Sequence, residues 1–292
     1  MSAENPDEPV GAVRVDGAMG DLTPTDFIHH PKNPPPRSTL DAVLRRFARL
    51  SYYGFIVGCF LVGILAIASA AAPAIWLVDG ARTWSAGFPF AGRYGVRGLA
   101  LASSFFVFGF ALIVVIPALN FVLPTRVKPF KGGYYTIHAV PWALHNALFY
   151  VVRYTFLKWI TLTPFGIWFL RAMGMKIGRH AFVNTDRLSD PSLITLGDDV
   201  TIGGSARIFA HYGGGGHLVI EPVTIDDRAT IGVGATIMGD VRIGAEAIVL
   251  PHSAVLPGSR IGPGETWGGV PARRIDRDEM ETLRAAARGG KI

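Results

Sequence analysis

The sequence has a single cysteine in 292 residues, Cys59, and it lies inside an apolar run. That excludes a disulfide framework and a thiolate metal cluster. Charge is also scarce. Only 17% of the residues are charged, against about a quarter in an ordinary soluble domain, while 50% are hydrophobic. No GxGxxG opens a helix, and there is no Walker loop, HExxH or GxSxG. The glycines of Gly232-Val233-Gly234 are therefore not a dinucleotide fingerprint. The net charge of +6 comes without a nucleic-acid motif. Its partner is read as anionic lipid headgroups, with no nucleic acid. The first 40 residues are polar and contain no apolar h-region, so no N-terminal signal peptide is expected.

What is present divides the chain into five segments. Residues 1–40 are rich in Pro, Asp and Glu and predict a disordered cytoplasmic tail. His29 and His30 within it read as solvated residues. Residues 41–133 hold two runs, 52–78 and 98–124, with no Asp, Glu, Lys or Arg. Each exceeds the roughly 20 residues that cross a hydrocarbon core. They predict two transmembrane helices, with Pro73 and Pro117 as kinks or end positions, joined by a loop over 79–97. Arg37, Arg45, Arg46 and Arg49 precede the first span, and Arg126, Lys128 and Lys131 follow the second. The connecting loop has Arg82, Arg93 and Arg97. The bias favours both ends in the cytoplasm, as in a multi-pass protein of a bacterial inner membrane. Residues 134–173 are apolar but contain Arg153 and Lys158, which cost roughly 2.5–3.5 kcal/mol each at mid-bilayer. Pro164 interrupts them, and Trp142, Tyr150, Tyr154, Trp159 and Trp168 are interfacial types. They predict amphipathic helices in the headgroup layer, with a third span as the alternative.

From Ile177 onward aliphatic residues recur every six positions: Leu196, Ile202, Ile208, then Val219, Ile225, Ile231, Ile237, Ile243, Val249, Val255 and Ile261, with Trp267 in the next slot. This period fits neither an α-helix nor an ordinary hairpin sheet. It fits a parallel β-helix with one aliphatic residue per side and a small residue at each corner. Between Ile208 and Val219 the spacing rises to eleven, which predicts a five-residue insertion within His211-Tyr212-Gly213-Gly214-Gly215-Gly216-His217. A short helix over 277–288, capped by Asp276, opens the final segment, 277–292.

Three features over residues 174–276 resemble the left-handed β-helix, hexapeptide-repeat acyltransferases. They are the repeat, a His followed by a loop and Pro222-Val223-Thr224-Ile225-Asp226-Asp227, and the closing Trp267-Gly268-Gly269-Val270-Pro271-Ala272-Arg273. The nearer likeness is to the membrane-embedded branch, such as the C-terminal domains of polylysine-synthetase-like proteins. The fold class that follows is two transmembrane helices plus interfacial amphipathic helices, then a left-handed parallel β-helix with a short C-terminal helix.

The resemblance implies an enzyme that moves an acyl group from acyl-CoA, or an acyl carrier protein, to a hydroxyl or amine. It implies no permanently bound cofactor or metal. It puts the family's catalytic His at His211, whose imidazole suits a general base. His217, Asp190 and Tyr212 are candidates for catalytic support or acceptor binding. The donor is expected along Gly232, Val233, Gly234 and Pro251 and the closing Trp267, Gly268, Gly269, Pro271 and Ala272, with Arg273 and Arg274 at its phosphates. Thr230 and Leu250-Pro251-His252-Ser253 depart from the Trp and Gly-Ala-Gly-Ser of many soluble relatives. A membrane anchor suits a lipid-linked acceptor, and the soluble relatives imply a homotrimer. The alternatives are a zinc enzyme like the γ-class carbonic anhydrases, using His180, His211 and His217, and a non-catalytic scaffold that binds acyl carriers. The four glycines are read as a mobile flap.

Overall fold

The computed structural model describes residues 39–134, 136–214 and 217–289. The predicted tail, with His29 and His30, falls outside them apart from its last two residues. Helix α1 (Thr39–Arg46) leads into α2 (Ala48–Trp84) and α3 (Phe90–Val122). The two long helices form an antiparallel hairpin. The expected 19-residue loop is a five-residue turn, because Arg82 continues α2 while Arg93 and Arg97 lie on α3. Arg97 ties the turn by donating from Nε to Ser85 Oγ, 3.3 Å away. Small residues line the contact: Ala66, Ala70, Ala74 and Ala81 are buried along one face of α2, and Ala100 is buried on α3. Small side chains let the two backbones approach closely. The large residues point outward, with Phe60, Leu65, Trp76, Leu99 and Phe121 all exposed. Both helices are long and apolar enough to cross a membrane.

Next come α4 (Val140–Val152), a π-helical turn over Arg153–Leu157, α5 (Lys158–Ile160) and α6 (Pro164–Ala172). Pro164 opens α6, where its missing N–H costs nothing. The predicted amphipathicity is present: Tyr154, Trp159, Phe165 and Trp168 are exposed. The opposite faces do not rest on lipid or water. Phe149, Phe156 and Phe169 are fully buried, and Phe149 stacks on Phe169 at 5.8 Å. These helices wedge between the hairpin and the following strands, and one hydrophobic cluster runs through all three.

The strands wind into a three-sided solenoid of about five turns, each side a parallel sheet. The first side stacks Ile177, Leu196, Ile225, Ile243 and Ile261. The second stacks Val183, Ile202, Ile231, Val249 and Trp267. The third stacks Leu188, Ile208, Ile237 and Val255. Ile202, Ile208, Ile225, Ile231, Ile237 and Ile243 are wholly buried. Each contributes about 1.5–3 kcal/mol by leaving water. The glycine after the aliphatic residue has a different role from the one expected. Gly203 and Gly232 do not have positive φ. A Cβ on Gly203 would lie 2.7 Å from Val233 N, and one on Gly232 would lie 2.4 Å from Pro251 N. Glycine is required because successive turns touch there. The left-handed residue comes two positions later and is often not glycine, as at Ser205, Arg228 and His252.

The solenoid closes at its C-terminal end where Arg273–Ile275 folds back antiparallel on Thr266–Gly268. Helix α7 (Arg277–Gly289) then starts as predicted, with the Glu279 N–H donating to Asp276 Oδ1 at 2.8 Å.

Candidate active site

The insertion is larger than the repeat spacing suggested. Leu196 and Ile225 are stacked neighbours separated by 29 residues, eleven more than the eighteen of later turns. Val219 therefore does not occupy a solenoid position. The chain leaves the wall at Ala210 and returns at Glu221, whose N–H donates to Ala210 O at 2.9 Å. Between them it forms an antiparallel hairpin, His211–Gly214 with His217–Ile220. Leu218 and Ile220 are buried and Val219 is not, the alternation expected of a strand with one covered face.

This hairpin is not a free flap. A third strand, Phe130–Gly133, comes from the linker after α3 and pairs with His217–Ile220. Gly213 is needed for close approach: a Cβ there would lie 2.4 Å from His217 O and 2.6 Å from Tyr134 Oη. The tip, Gly215 and Gly216, falls outside the described residues.

His211 is the first residue of the hairpin, at the corner between the third and first sides. Gly239 of the next turn packs beneath it; a Cβ there would lie 3.1 Å from His211 N. The imidazole Nδ1 is 2.6 Å from Asp190 Oδ2. Asp190 is fully buried. It holds a left-handed φ of 58° just before a short 3₁₀ turn, Pro191–Leu193. Its other oxygen, Oδ1, accepts from Trp142 Nε1 at 2.7 Å and Asn146 Nδ2 at 2.6 Å. Asn146 Oδ1 in turn accepts the Asp190 backbone N–H at 3.2 Å. A buried carboxylate is tolerable only when so satisfied. With Oδ2 as acceptor, Nδ1 carries the proton and Nε2 keeps its lone pair. The His211 side chain is 24% exposed, so the ring can meet a substrate from outside. The Trp142 ring flanks it edge-on at 5.1 Å.

The sequence singled out Trp142 only as an interfacial aromatic, and Asn146 not at all. They lie one turn apart on α4, a helix whose composition signals only an interface. Beside them, Tyr150 Oη lies 2.8 Å from Ser189 Oγ, and the Arg153 guanidinium sits 5.2 Å over the Tyr150 and Tyr154 rings. Burial pushes the Tyr150 hydroxyl up. His145, facing the other way, contacts Asn120 Oδ1 of α3 through Nδ1 at 2.8 Å. Burial lowers its pKa to about 4, against the pull of Asp190.

The structure thus brings together His211 and Asp190. Tyr212 and His217 are half-buried on the hairpin, in register with Val219 and with Gly214 respectively. Burial raises the Tyr212 hydroxyl. The donor-side candidates form a separate group. Gly232 packs on Pro251, while Val233 O accepts the His252 N–H and Gly234 lies against the His252 ring; Gly268 and Gly269 follow on the next turn, along the corner between the second and third sides. Val233 is half exposed there. Within one chain the third side separates this corner from His211. Trp267 is a core residue, and Pro271 and Ala272 belong to the closing turn. Arg273 pairs with Glu279 at 2.6 Å and Arg274 with Glu265 at 3.2 Å.

The repeat, the three parallel sheets and the interrupting hairpin define a hexapeptide-type β-solenoid. No known family model matches the chain. It is similar to γ carbonic anhydrase 2 of Arabidopsis thaliana mitochondria, with 36% identity over 101 residues, 34% of this chain and 31% of that protein. It is similar to a δ-poly-L-ornithine synthetase of Acinetobacter baumannii, with 28% identity over 116 residues, 39% of this chain and 9% of that protein. Among solved structures, a hexapeptide-repeat acetyltransferase from Vibrio cholerae complexed with acetyl coenzyme A matches with 24% identity and a TM-score of 0.36. That match covers 41% of this chain and 82% of the other. The chain spans less than a third of the length of the curated relatives it matches.

Proposed function

We propose that the chain is a membrane-bound acyltransferase. It moves an acyl group, acetyl in the simplest case, from a CoA or acyl-carrier thioester to a hydroxyl or amine of a membrane-associated acceptor. The observation that carries this reading is the His211–Asp190 pair at the mouth of the solenoid's one large insertion. His211 Nε2 removes the acceptor proton as the acceptor oxygen or nitrogen attacks the thioester carbonyl. The C–S bond then breaks, and the thiolate leaves and takes up the proton. Asp190 fixes the tautomer and stabilises the imidazolium that forms between these steps.

The two long helices act as membrane spans in this reading, and their antiparallel course returns the chain to the side from which it entered. The Lys/Arg bias makes that side cytoplasmic, where acyl-CoA is found. The exposed aromatics of α5 and α6 lie alongside the second span and not at its cytoplasmic end, since Trp159 packs against Phe105 and Phe106 and Phe165 against Phe110, in the middle of α3. The solenoid winds left-handed and assembles as a homotrimer. A neighbouring copy then supplies the Gly232–Pro251 corner that one chain keeps apart from His211. The test is thioester consumption by the purified protein given acetyl-CoA and candidate acceptors. His211→Ala is expected to abolish transfer; full transfer by that variant refutes the assignment. Absence of consumption with every donor and acceptor favours the scaffold reading.

The similarity to γ carbonic anhydrases supports a second reading, a zinc hydro-lyase. The donor set fits poorly within one chain. His180 Nδ1 lies 3.4 Å from Asp199 on an exposed corner, and His211 Nδ1 faces Asp190. Among the described residues no three His, Cys, Asp or Glu side chains are placed to hold a metal ion. One zinc per chain in the purified protein would favour this reading.

A further inference from the structure

A cavity of about 540 Å³ lies beside the site without belonging to it. Its lining includes Arg126, Lys128, Lys131 and His138, with Gly132 and Gly133 of the linker strand, and no carboxylate. Lys131 reaches Glu221 at 3.4 Å. Arg126 and Lys128 have no ion-pair partner among the described residues. Ile137 and Pro141 bring the start of α4 into the wall. That helix and the 3₁₀ turn before it, Ile137–Ala139, have no side-chain cap and no acidic residue in the first turn. The Ala139 and Val140 N–H groups donate to Thr136 O and Ile137 O, and Pro141 has none, so the helix adds to the positive field through its dipole. The same lining favours an anion with several oxygens.

Two placements indicate where that anion comes from. Arg126 is four residues beyond Val122, the end of apolar α3. On the membrane reading this puts the cavity at headgroup depth. Phe130, which lines the cavity, pairs with Ile220, and Ile220 pairs with His211. Two strand spacings, roughly 10 Å, therefore separate the cavity strand from His211.

We infer that this cavity binds the phosphate or diphosphate of a membrane lipid and so holds the acceptor, leaving its nucleophilic group to reach His211. The link to His211 rests on the acyltransferase reading; the phosphate binding does not. The test uses the full chain in phosphatidylcholine nanodiscs, with empty nanodiscs subtracted. Farnesyl diphosphate, inorganic pyrophosphate and acetyl-CoA are titrated separately. In an Arg126→Gln, Lys128→Gln double variant, farnesyl diphosphate binding is expected to weaken about tenfold or more while acetyl-CoA binding holds. The charge-preserving Arg126→Lys, Lys128→Arg variant is expected to recover most of it, which separates lost charge from lost folding. Unchanged farnesyl diphosphate binding in the glutamine variant overturns the inference. So does pyrophosphate binding as tight as that of the prenyl ligand, which would mark a free-anion site. A parallel loss of acetyl-CoA binding also overturns it, because the cavity would then serve the donor. His211→Ala is expected to keep farnesyl diphosphate binding, so a failure of the transfer chemistry reads separately from a failure of this site.

Discussion

Asp190→Asn changes one atom of a buried carboxylate and keeps its volume. Trp142 Nε1 and Asn146 Nδ2 both donate to Oδ1 at 2.6–2.7 Å. They hold the variant's carbonyl oxygen in that position and send its NH₂ to the place of Oδ2. That NH₂ then faces His211 Nδ1 at the native 2.6 Å. Two donors cannot share the gap, so the imidazole gives up its Nδ1 proton and carries one on Nε2. The lone pair needed to accept the substrate proton is gone. General base catalysis contributes about 10²–10⁴ in rate, and kcat is expected to fall by that range with KM for acetyl-CoA unchanged. Release of free CoA, followed with a thiol reagent, measures the rate. Nitrogen-15 chemical shifts of labelled histidine report the tautomer without needing the acceptor. An unchanged kcat with an unchanged His211 tautomer would refute the reasoning. Asp190→Ala is a poorer probe, since it removes an acceptor from Trp142, Asn146 and His211 together and leaves a cavity in a buried site.

Other expectations concern stability. His145 titrates near 4 when folded and near 6.5 when unfolded, so the unfolded chain binds the extra proton between those values. Its contribution is complete above pH 6.5 and lost as the pH falls towards 4, by up to about 3 kcal/mol. Melting temperatures at pH 7.5 and 5 should show this slope, and His145→Gln should flatten it. Gly213→Ala should destabilise the hairpin by about 1–3 kcal/mol and expose 211–220 to proteolysis while the solenoid stays intact. In α3, a Cβ on Gly109 would lie 2.1 Å from the buried Phe156 ring. Gly109→Ala should therefore lower the melting temperature, and adding Phe156→Leu should recover part of the loss.

The solenoid was legible because its core accepts one aliphatic side chain per side per turn, which leaves a six-residue trace. That trace misled at Val219. An eleven-residue insertion shifts the phase by nearly two full hexads, and a hairpin valine fell by coincidence on the expected spacing. The role of the corner glycines was misread for a related reason. Period alone does not distinguish a residue chosen for its φ from one chosen because another turn passes 2.4 Å away. His211 and Asp190 were both visible as candidates. Trp142 and Asn146 were not, because Trp at an interface is ordinary and a single Asn in an apolar helix has no period. Their meaning depends on a contact to a residue more than forty positions later, which local pattern does not encode.

The linker strand and α4 have a consequence for inheritance. The groups that position Asp190, and the strand that braces the hairpin, are encoded before the solenoid begins. A solenoid cut at Met175 would keep His211 and Asp190 but lose Trp142, Asn146 and Phe130–Gly133. Recombination that exchanged only the membrane portion would hand the solenoid a mismatched brace and disarm it. The two portions are therefore one heritable unit, and a hybrid must be joined ahead of Phe130 to function.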